Sequence, residues 1–376
     1  MSMYPEAKRP PCPGRLPGCL GKIADRGAKQ CANCYKEARR RAAPSAQVKA
    51  DQDKQRTAQE ITGIRKKYDE ALNTIGRQER ELRALGAISD GIDTYQIEPK
   101  KGTGTSEATP ILVASDWHTE ETVKLSQVNG LNEFTAPIAK ARIEQFFRSG
   151  LRLVNLLGQD VSISTVVLAL LGDFITSDLH EEAMETNGLH PMHAIINAQN
   201  LIASGIEFLL KHSKYEFVIP CKVGNHSRTT RKVRFGTETG HSLEYLMYIH
   251  LAAYFRNEPR VTFQISEGYH HYLDIYGKTI RFHHGHAINY QGGIGGIFIP
   301  AFKAISQWDK GQRADLDIFG HFHQMKDGGK FVSNGSLIGY NAFALSIKAD
   351  YEPPRQTLLL IDKKRGRTCS WPILLN

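Results

Sequence analysis

The run Thr165-Val166-Val167-Leu168-Ala169-Leu170-Leu171 is the stretch that most narrows what this chain can fold into. It is uncharged and rich in β-branched and aliphatic side chains, so it reads as a strand covered on both faces, as in a parallel sheet between layers. Gly172 lets the chain turn with little steric cost. Asp173 then falls at the carboxyl end of the strand, where open α/β sheets collect their ligands. A carboxylate there has two oxygens and can bridge two cations.

Strand-like and helical patterns alternate around that run. Ile111–Ser115 reads as a short buried strand, 136–158 and 191–212 as amphipathic helices, and Tyr215–Val223 as another strand. A helix at about 241–256 precedes a strand-rich stretch around 260–285, and Asp317–Phe319, Lys330–Val332 and Gln356–Asp362 are also strand-like. The mixture predicts a layered or sandwiched α/β domain over residues 108–376. At 376 residues the chain has room for more than this domain. No window approaches the ~18–20 apolar residues of a membrane span. Met1-Ser2-Met3-Tyr4-Pro5 lacks the apolar core of a signal peptide. A reducing, cytoplasmic setting is therefore the default expectation.

The formal charge of +9 is unevenly spread. Residues 1–45 hold ten Lys/Arg against three Asp/Glu, 46–107 balance at eleven each, and 108–376 hold 27 against 25. A concentrated basic tail is the electrostatic footprint expected for nucleic acid, and a solvated tail is the plainer reading. The same tail holds four of the six cysteines, as Cys12-x6-Cys19-x11-Cys31-x2-Cys34. The Cys31-x2-Cys34 turn presents two sulfurs to one tetrahedral metal, and the segment is too poor in apolar residues to fold without such help. A structural zinc on Cys12, Cys19, Cys31 and Cys34 is expected; a disulfide pair suits a reducing compartment poorly. Tyr35–Arg41 reads as a short basic helix after the turn. The module is similar to small zinc-ribbon or treble-clef units. Cys221 and Cys369 are isolated in apolar contexts and read as buried structural thiols.

Within 46–107, Ile61, Tyr68, Ile75 and Leu82 recur at one heptad position and Ile64, Ala71 and Leu85 at another, with Gln78 breaking the second series. Two readings stand: a short coiled coil, which would make a homodimer through 61–88, or a single amphipathic helix packed on the catalytic domain. Gly63 and Gly76 weaken either by roughly 1 kcal/mol each. Pro99–Ser106 reads as a flexible linker.

Five short motifs each end a predicted strand: Asp116-Trp117-His118, Gly172-Asp173, Gly224-Asn225-His226, His284-Gly285-His286 and Gly320-His321-Phe322-His323. Singly each is commonplace. Together they form a thiolate-free set of oxygen and nitrogen donors suited to manganese, iron, zinc or magnesium.

Their order and spacing resemble the calcineurin-like metallophosphoesterase superfamily, whose blocks run D-x-H, G-D, G-N-H-[ED], H-G-H and G-H-x-H on a double β-sheet sandwich flanked by helices. The resemblance covers roughly residues 110–340, and Asn334-Gly335-Ser336-Leu337 looks like the family's closing strand entry. It implies a dimetal-dependent phosphoric ester hydrolase. One divalent ion, manganese foremost, would sit on Asp116, His118 and His323. The other would sit on Asn225, His284 and His321, with Asp173 bridging the pair and a metal-bridging hydroxide attacking phosphorus in line. His286 would lie behind these ligands and His283 would be the structural alternate. His226 matches the family histidine that contacts the phosphoryl oxygen or protonates the leaving group.

One departure follows. Where the family places Glu or Asp after G-N-H, this chain has Ser227 and Arg228, so His226 loses its usual carboxylate neighbour; Asp178, Glu181 and Glu182 could replace it, although a solvated loop or helix start is the plainer reading of them. Arg228, Arg231, Lys232 and Arg234 instead make a basic loop fit for a polyanion, with an ordinary exposed loop as the alternative. Trp117 reads as cover for the site rather than as a base-stacking residue, and Gln291–Gly296 as a loop near it. Phe174-Ile175-Thr176-Ser177 after the bridging aspartate departs from the protein-phosphatase pattern. The combination is nearest to SbcD-type and phage-encoded nucleases, which implies a nuclease or nucleic-acid phosphodiesterase acting on DNA rather than RNA. The alternatives are a phosphomonoesterase on protein or nucleotide, and a non-catalytic nucleic-acid-binding protein.

Overall fold

The computed structural model describes residues 32–42, 46–89, 106–179, 181–290 and 295–376. Cys12, Cys19, Cys31, residues 99–105 of the expected linker and Gln291–Ile294 lie outside these. The chain divides into two compact units, Met1–Glu98 and Pro99–Asn376.

In the first unit, α1 spans Ala32–Ala42 and α2 spans Ala46–Ser89. Cys34 lies in the first turn of α1 and is buried. The 44 residues of α2 are dominated by Ala, Gln, Glu, Lys and Arg and contain no proline, so intrinsic propensity favours a continuous helix about 66 Å long. Gly63 and Gly76 do not interrupt it. Its apolar positions Ile61, Ile64, Tyr68, Leu72 and Ile75 are all exposed.

The second unit contains two sheets. The first consists of β1 (Ala108–Ala114), β2 (Thr165–Leu170), β3 (Glu216–Cys221), β4 (Val261–Ile265), β10 (Arg355–Asp362) and β11 (Gly366–Leu374), in the order β11-β10-β1-β2-β3-β4. β1 to β4 run parallel, and the β10–β11 hairpin closes one edge antiparallel to β1. The second sheet runs β5 (His271–Ile275), β6 (Lys278–Phe282), β7 (Leu316–Phe319), β9 (Phe331–Ser333) and β8 (Lys326–Asp327), with β6, β7 and β9 parallel. This is a mixed α/β unit with two sheets and flanking helices.

Strand alternation builds two cores from the same strands. Ile111 and Val113 of β1, Val167 and Ala169 of β2, and Leu171 just beyond pack against Ile280, Phe282, Ile318 and Val332 of the other sheet. Their neighbours Leu112, Ala114, Val166, Leu168 and Leu170 point to the opposite face. There they meet α3 (Ala136–Leu157), α5 (Pro191–His212) and α6 (Leu243–Tyr254). Both faces of β1 and β2 are therefore covered, which is why their sequences show no polar alternation. On the outer face of the second sheet, Ala301 and Ile305 of α7 (Phe298–Trp308) cover Phe319 and Phe331. Fully burying each such side chain contributes about 1.5–3 kcal/mol. The short helices α4 (Glu181–Thr186) and α8 (Ala342–Ser346) lie in loops.

Candidate metal centre

The five motifs follow the carboxyl ends of β1, β2, β3, β6 and β7, strands from both sheets. The β1 and β2 loops are laced together: Asp116 N–H donates to Gly172 O at 3.0 Å, Trp117 N–H to Asp173 O at 2.8 Å and Thr119 N–H to Phe174 O at 3.0 Å. Gly320 N–H donates to His284 O at 2.8 Å and so ties the last two motifs.

The backbone around the donors is unusual. Asp116, His118, Asp173, His321 and His323 all have positive φ, between 50° and 70°. Left-handed backbone at non-glycine residues costs of order 1–3 kcal/mol each and persists where surrounding structure enforces it. Two glycines permit the approach. A Cβ at Gly224 would collide with the Asp173 carboxylate, and one at Gly320 with Asp116 Oδ2.

Two clusters of donor atoms result. Asp116, His118 and His323 form one, and Asp173, His284 and His321 the other, with the donor atoms of each within 4.8 Å of one another. His118 Nε2 is 3.2 Å from His323 Nε2, and His323 Nε2 is 3.4 Å from Asp116 Oδ1. His284 Nε2 is 2.8 Å from Asp173 Oδ2. The Asn225 side-chain oxygen is buried with no hydrogen-bond partner. A buried carbonyl oxygen without a partner is a donor that a hard-to-borderline divalent cation would satisfy.

Electrostatics sharpen the picture. Burial opposes ionisation of Asp173, but the nearby imidazoles of His284 and His226 hold its carboxyl well below the usual range. Burial likewise works against the charged form of His284, yet the Asp173 carboxylate overrides it and raises that imidazole to about 9. Burial and the charge on His284 push His321 down to about 3. Burial, then His226 and His323, lower His118 well below the ordinary histidine value.

Several of these side chains are held from behind. Ser115 Oγ donates to Asp116 Oδ2 and accepts from Asn334 Nδ2. His284 Nδ1 is 2.7 Å from Leu171 O, which directs Nε2 inward. Thr176 serves two histidines: its hydroxyl is 3.0 Å from His118 Nδ1 and its carbonyl 3.0 Å from His226 Nδ1. This answers the missing carboxylate after Asn225-His226. The backbone carbonyl of Thr176, rather than Asp178, Glu181 or Glu182, holds His226. Asp178 instead lies 3.8 Å from His190, and Glu181 and Glu182 are exposed on α4.

Other expected residues fall where the geometry puts them. Trp117 is fully buried against Phe146, Phe147 and Phe174 and stacks no ligand. His283 is stacked on Phe319 and lies 3.4 Å from Asp317, away from the donor clusters. Arg228 Nη1 donates to Asn225 O and Nε to Thr230 O, so its guanidinium braces the loop that carries Asn225. Arg231, Lys232 and Arg234 are exposed.

No family model and no curated protein matches the chain. Solved structures do. An archaeal phosphodiesterase is 14% identical, with 70% of this chain and 99% of that chain covered and a TM-score of 0.32. Vacuolar protein sorting 29 from Cryptosporidium parvum is 15% identical over 68% and 86%, at 0.29. A hypothetical protein from Pyrococcus horikoshii is 12% identical over 71% and 89%, at 0.34. The structures this chain is similar to thus include a phosphodiesterase. At these TM-scores the likeness bears on no residue, and the chemistry rests on the motifs and their geometry.

Two supporting residues have no motif of their own. Glu244 is fully buried in the first turn of α6, and its carboxylate accepts from Phe174 N–H and Gly224 N–H, both at 2.7 Å. It braces the Asp173 and Asn225 loops together, and burial raises it to about 7. Glu120 Oε1 accepts from Thr176 N–H at 2.7 Å and Ser177 N–H at 2.9 Å. An acidic residue in a helix's first turn is ordinary, so Glu244 carried no signal in the sequence. Glu120 lies two residues past the first motif, and only the fold reveals its role.

Proposed function

We propose that this chain is a dimetal-dependent phosphodiesterase that hydrolyses nucleic-acid phosphodiester bonds. The observation that carries the reading is the pair of three-residue donor clusters on strand ends, with Asp173 in one and electrostatically coupled to His118 of the other. Asp116, His118 and His323 would hold one cation; Asn225, His284 and His321 the other; Asp173 would serve both. Two divalent cations bound there, manganese foremost, would clamp a phosphoryl group and acidify a water between them. The chain's own groups do the rest. Asp173 Oδ1 accepts the His226 N–H at 2.8 Å, which fixes that imidazole's backbone beside the bridging carboxylate. With Nδ1–H donated to the Thr176 carbonyl, Nε2 carries a proton only in the imidazolium, and it is in that form that His226 would protonate the leaving oxygen.

The exposed cations of the 228–234 loop favour a polyanion over a small monoester. So does the basic N-terminal segment, where Cys12, Cys19, Cys31 and Cys34 would hold a structural zinc; of these, Cys34 is buried in the first turn of α1. A second copy of the chain is the proposed partner through 61–88, supported by the exposed stripe on α2.

The test is incubation with manganese and labelled single- and double-stranded DNA and RNA, alongside bis(p-nitrophenyl) phosphate and a monoester. Chain cleavage with diester turnover is expected. Monoester turnover without chain cleavage would make it a phosphatase, and binding without any turnover a non-catalytic nucleic-acid protein.

A further inference from the structure

We infer that Phe235 is a stacking platform for an unpaired nucleobase beside the metal centre, so that the substrate strand enters single-stranded. The inference rests on the nucleic-acid reading above and specifies its substrate. Phe235 ends the run Arg228-Thr229-Thr230-Arg231-Lys232-Val233-Arg234-Phe235, and its ring is 49% exposed. One face lies on His286, stacked at 5.3 Å between centroids and 17° between planes. Tyr269 holds its flank, with centroids 5.7 Å apart at 71°. Among the described residues no further ring packs on Phe235, which leaves about half of it to solvent.

His286 places this pair next to the chemistry. Its ring is 5.6 Å from that of His284 and 6.3 Å from that of His321. The His286 side chain is only 4% exposed, and both of its ring nitrogens are buried without a hydrogen bond. Its closest carboxylate is Glu238, at 3.7 Å. It is thus a rigid slab between the donor clusters and Phe235. Asn225, Arg228, Arg234, Glu238 and His286 line a small recess beside this slab.

A half-exposed aromatic ring is apolar surface that solvent disfavours, and its packed face cannot relocate without breaking the His286 stack. Its open face suits any base, because every base has a π-face, whereas a duplex keeps its bases stacked on one another. Cations at Arg231, Lys232 and Arg234 on the same loop would track the backbone on either side. A strand whose phosphate occupies the donor clusters would lay a neighbouring base on Phe235.

The experiment measures affinity by anisotropy for phosphorothioate single strands with bases and for matched abasic strands, using the full chain with manganese. Phe235→Ala should weaken binding of the base-bearing strand roughly tenfold. It should leave the abasic strand and a duplex within about twofold, while Phe235→Trp restores affinity and Phe235→Leu does not. Equal affinity of wild type for base-bearing and abasic strands, or no effect of Phe235→Ala, would overturn the platform. Cleavage of unmodified strands is scored separately. Base-dependent affinity without cleavage sinks the nuclease reading and leaves the platform standing; cleavage without base dependence does the reverse.

Discussion

The two units solve opposite problems of burial. α2 leaves Ile61, Ile64, Tyr68, Leu72 and Ile75 in solvent. The layered unit buries Asp116, Asp173, Glu120, Glu244 and Arg281. An exposed apolar stripe costs little until a partner covers it, whereas a buried charge is tolerated only with company. The layered unit supplies that company at Arg281 and Glu244. Arg281 is held by Asp317 at 2.6 and 3.0 Å and by Asp309 at 3.0 Å, and Glu244 by two backbone N–H groups. The comparison teaches where each unit carries its distinctive groups: the layered unit inside, among aligned polar groups, and α2 on its exposed stripe.

The most severe test strikes the buried side. Asp173→Asn keeps the shape but removes a negative charge that His284 and His226 face. Turnover of both bis(p-nitrophenyl) phosphate and oligonucleotides should fall by several kcal/mol of transition-state stabilisation, about 10³-fold or more. Steady-state kinetics with circular dichroism as a folding control reads it, and an active, folded Asn variant would remove Asp173 from the centre of the site.

His226→Ala should come next, and its size should depend on the leaving group. With an alkoxide leaving group the lost proton donor should cost about 10²–10⁴-fold; with p-nitrophenolate, which leaves unassisted, the loss should be far smaller. Equal losses on both substrates would make His226 a phosphoryl contact rather than an acid.

Glu244→Gln probes the brace rather than the donors. Glutamine offers one acceptor and one donor where the carboxylate accepts twice, so Phe174 N–H or Gly224 N–H loses its partner. A lost brace of this kind should weaken metal affinity about 10–100-fold, measured by calorimetry, with kcat recovered at saturating metal. An unchanged metal affinity would mean that the Asp173 and Asn225 loops hold themselves.

Much of this was legible because strand ends carry their chemistry in consecutive residues. The run 165–171 announced a doubly covered strand, and Asp173 came right after it. Asp116, His118, Asn225, His284, His321 and His323 were readable for the same reason: each motif is local, and parallel strands bring local motifs to one edge. What escaped was whatever acts across the fold. Glu244 reaches two loops from a helix 20 residues beyond Gly224. Thr176 works through its carbonyl, which no side-chain pattern encodes. The closing strand β11 also left little pattern, because its half-buried residues alternate irregularly. Heptad spacing showed α2's apolar face but left open what covers it, since a coiled coil and a docked helix demand the same period.

That last ambiguity yields the smallest expected effect on catalysis and the cleanest break between the units. Among the described residues the stripe on α2 is exposed, so a second copy is the occupant tested. In a parallel, in-register pair, Glu60 of one helix would face Arg65 of the other, an attractive pairing at the flanking heptad positions. Ile61→Asp with Ile75→Asp would bury two like charges per helix at the seam, so the dimer should dissociate in light scattering. Turnover of bis(p-nitrophenyl) phosphate per subunit should stay within about twofold, because every donor atom belongs to one layered unit and the cost of these charges falls on association alone. If turnover collapses together with the dimer, α2 supports the catalytic unit itself, and the division between an inward-working and an outward-working half fails.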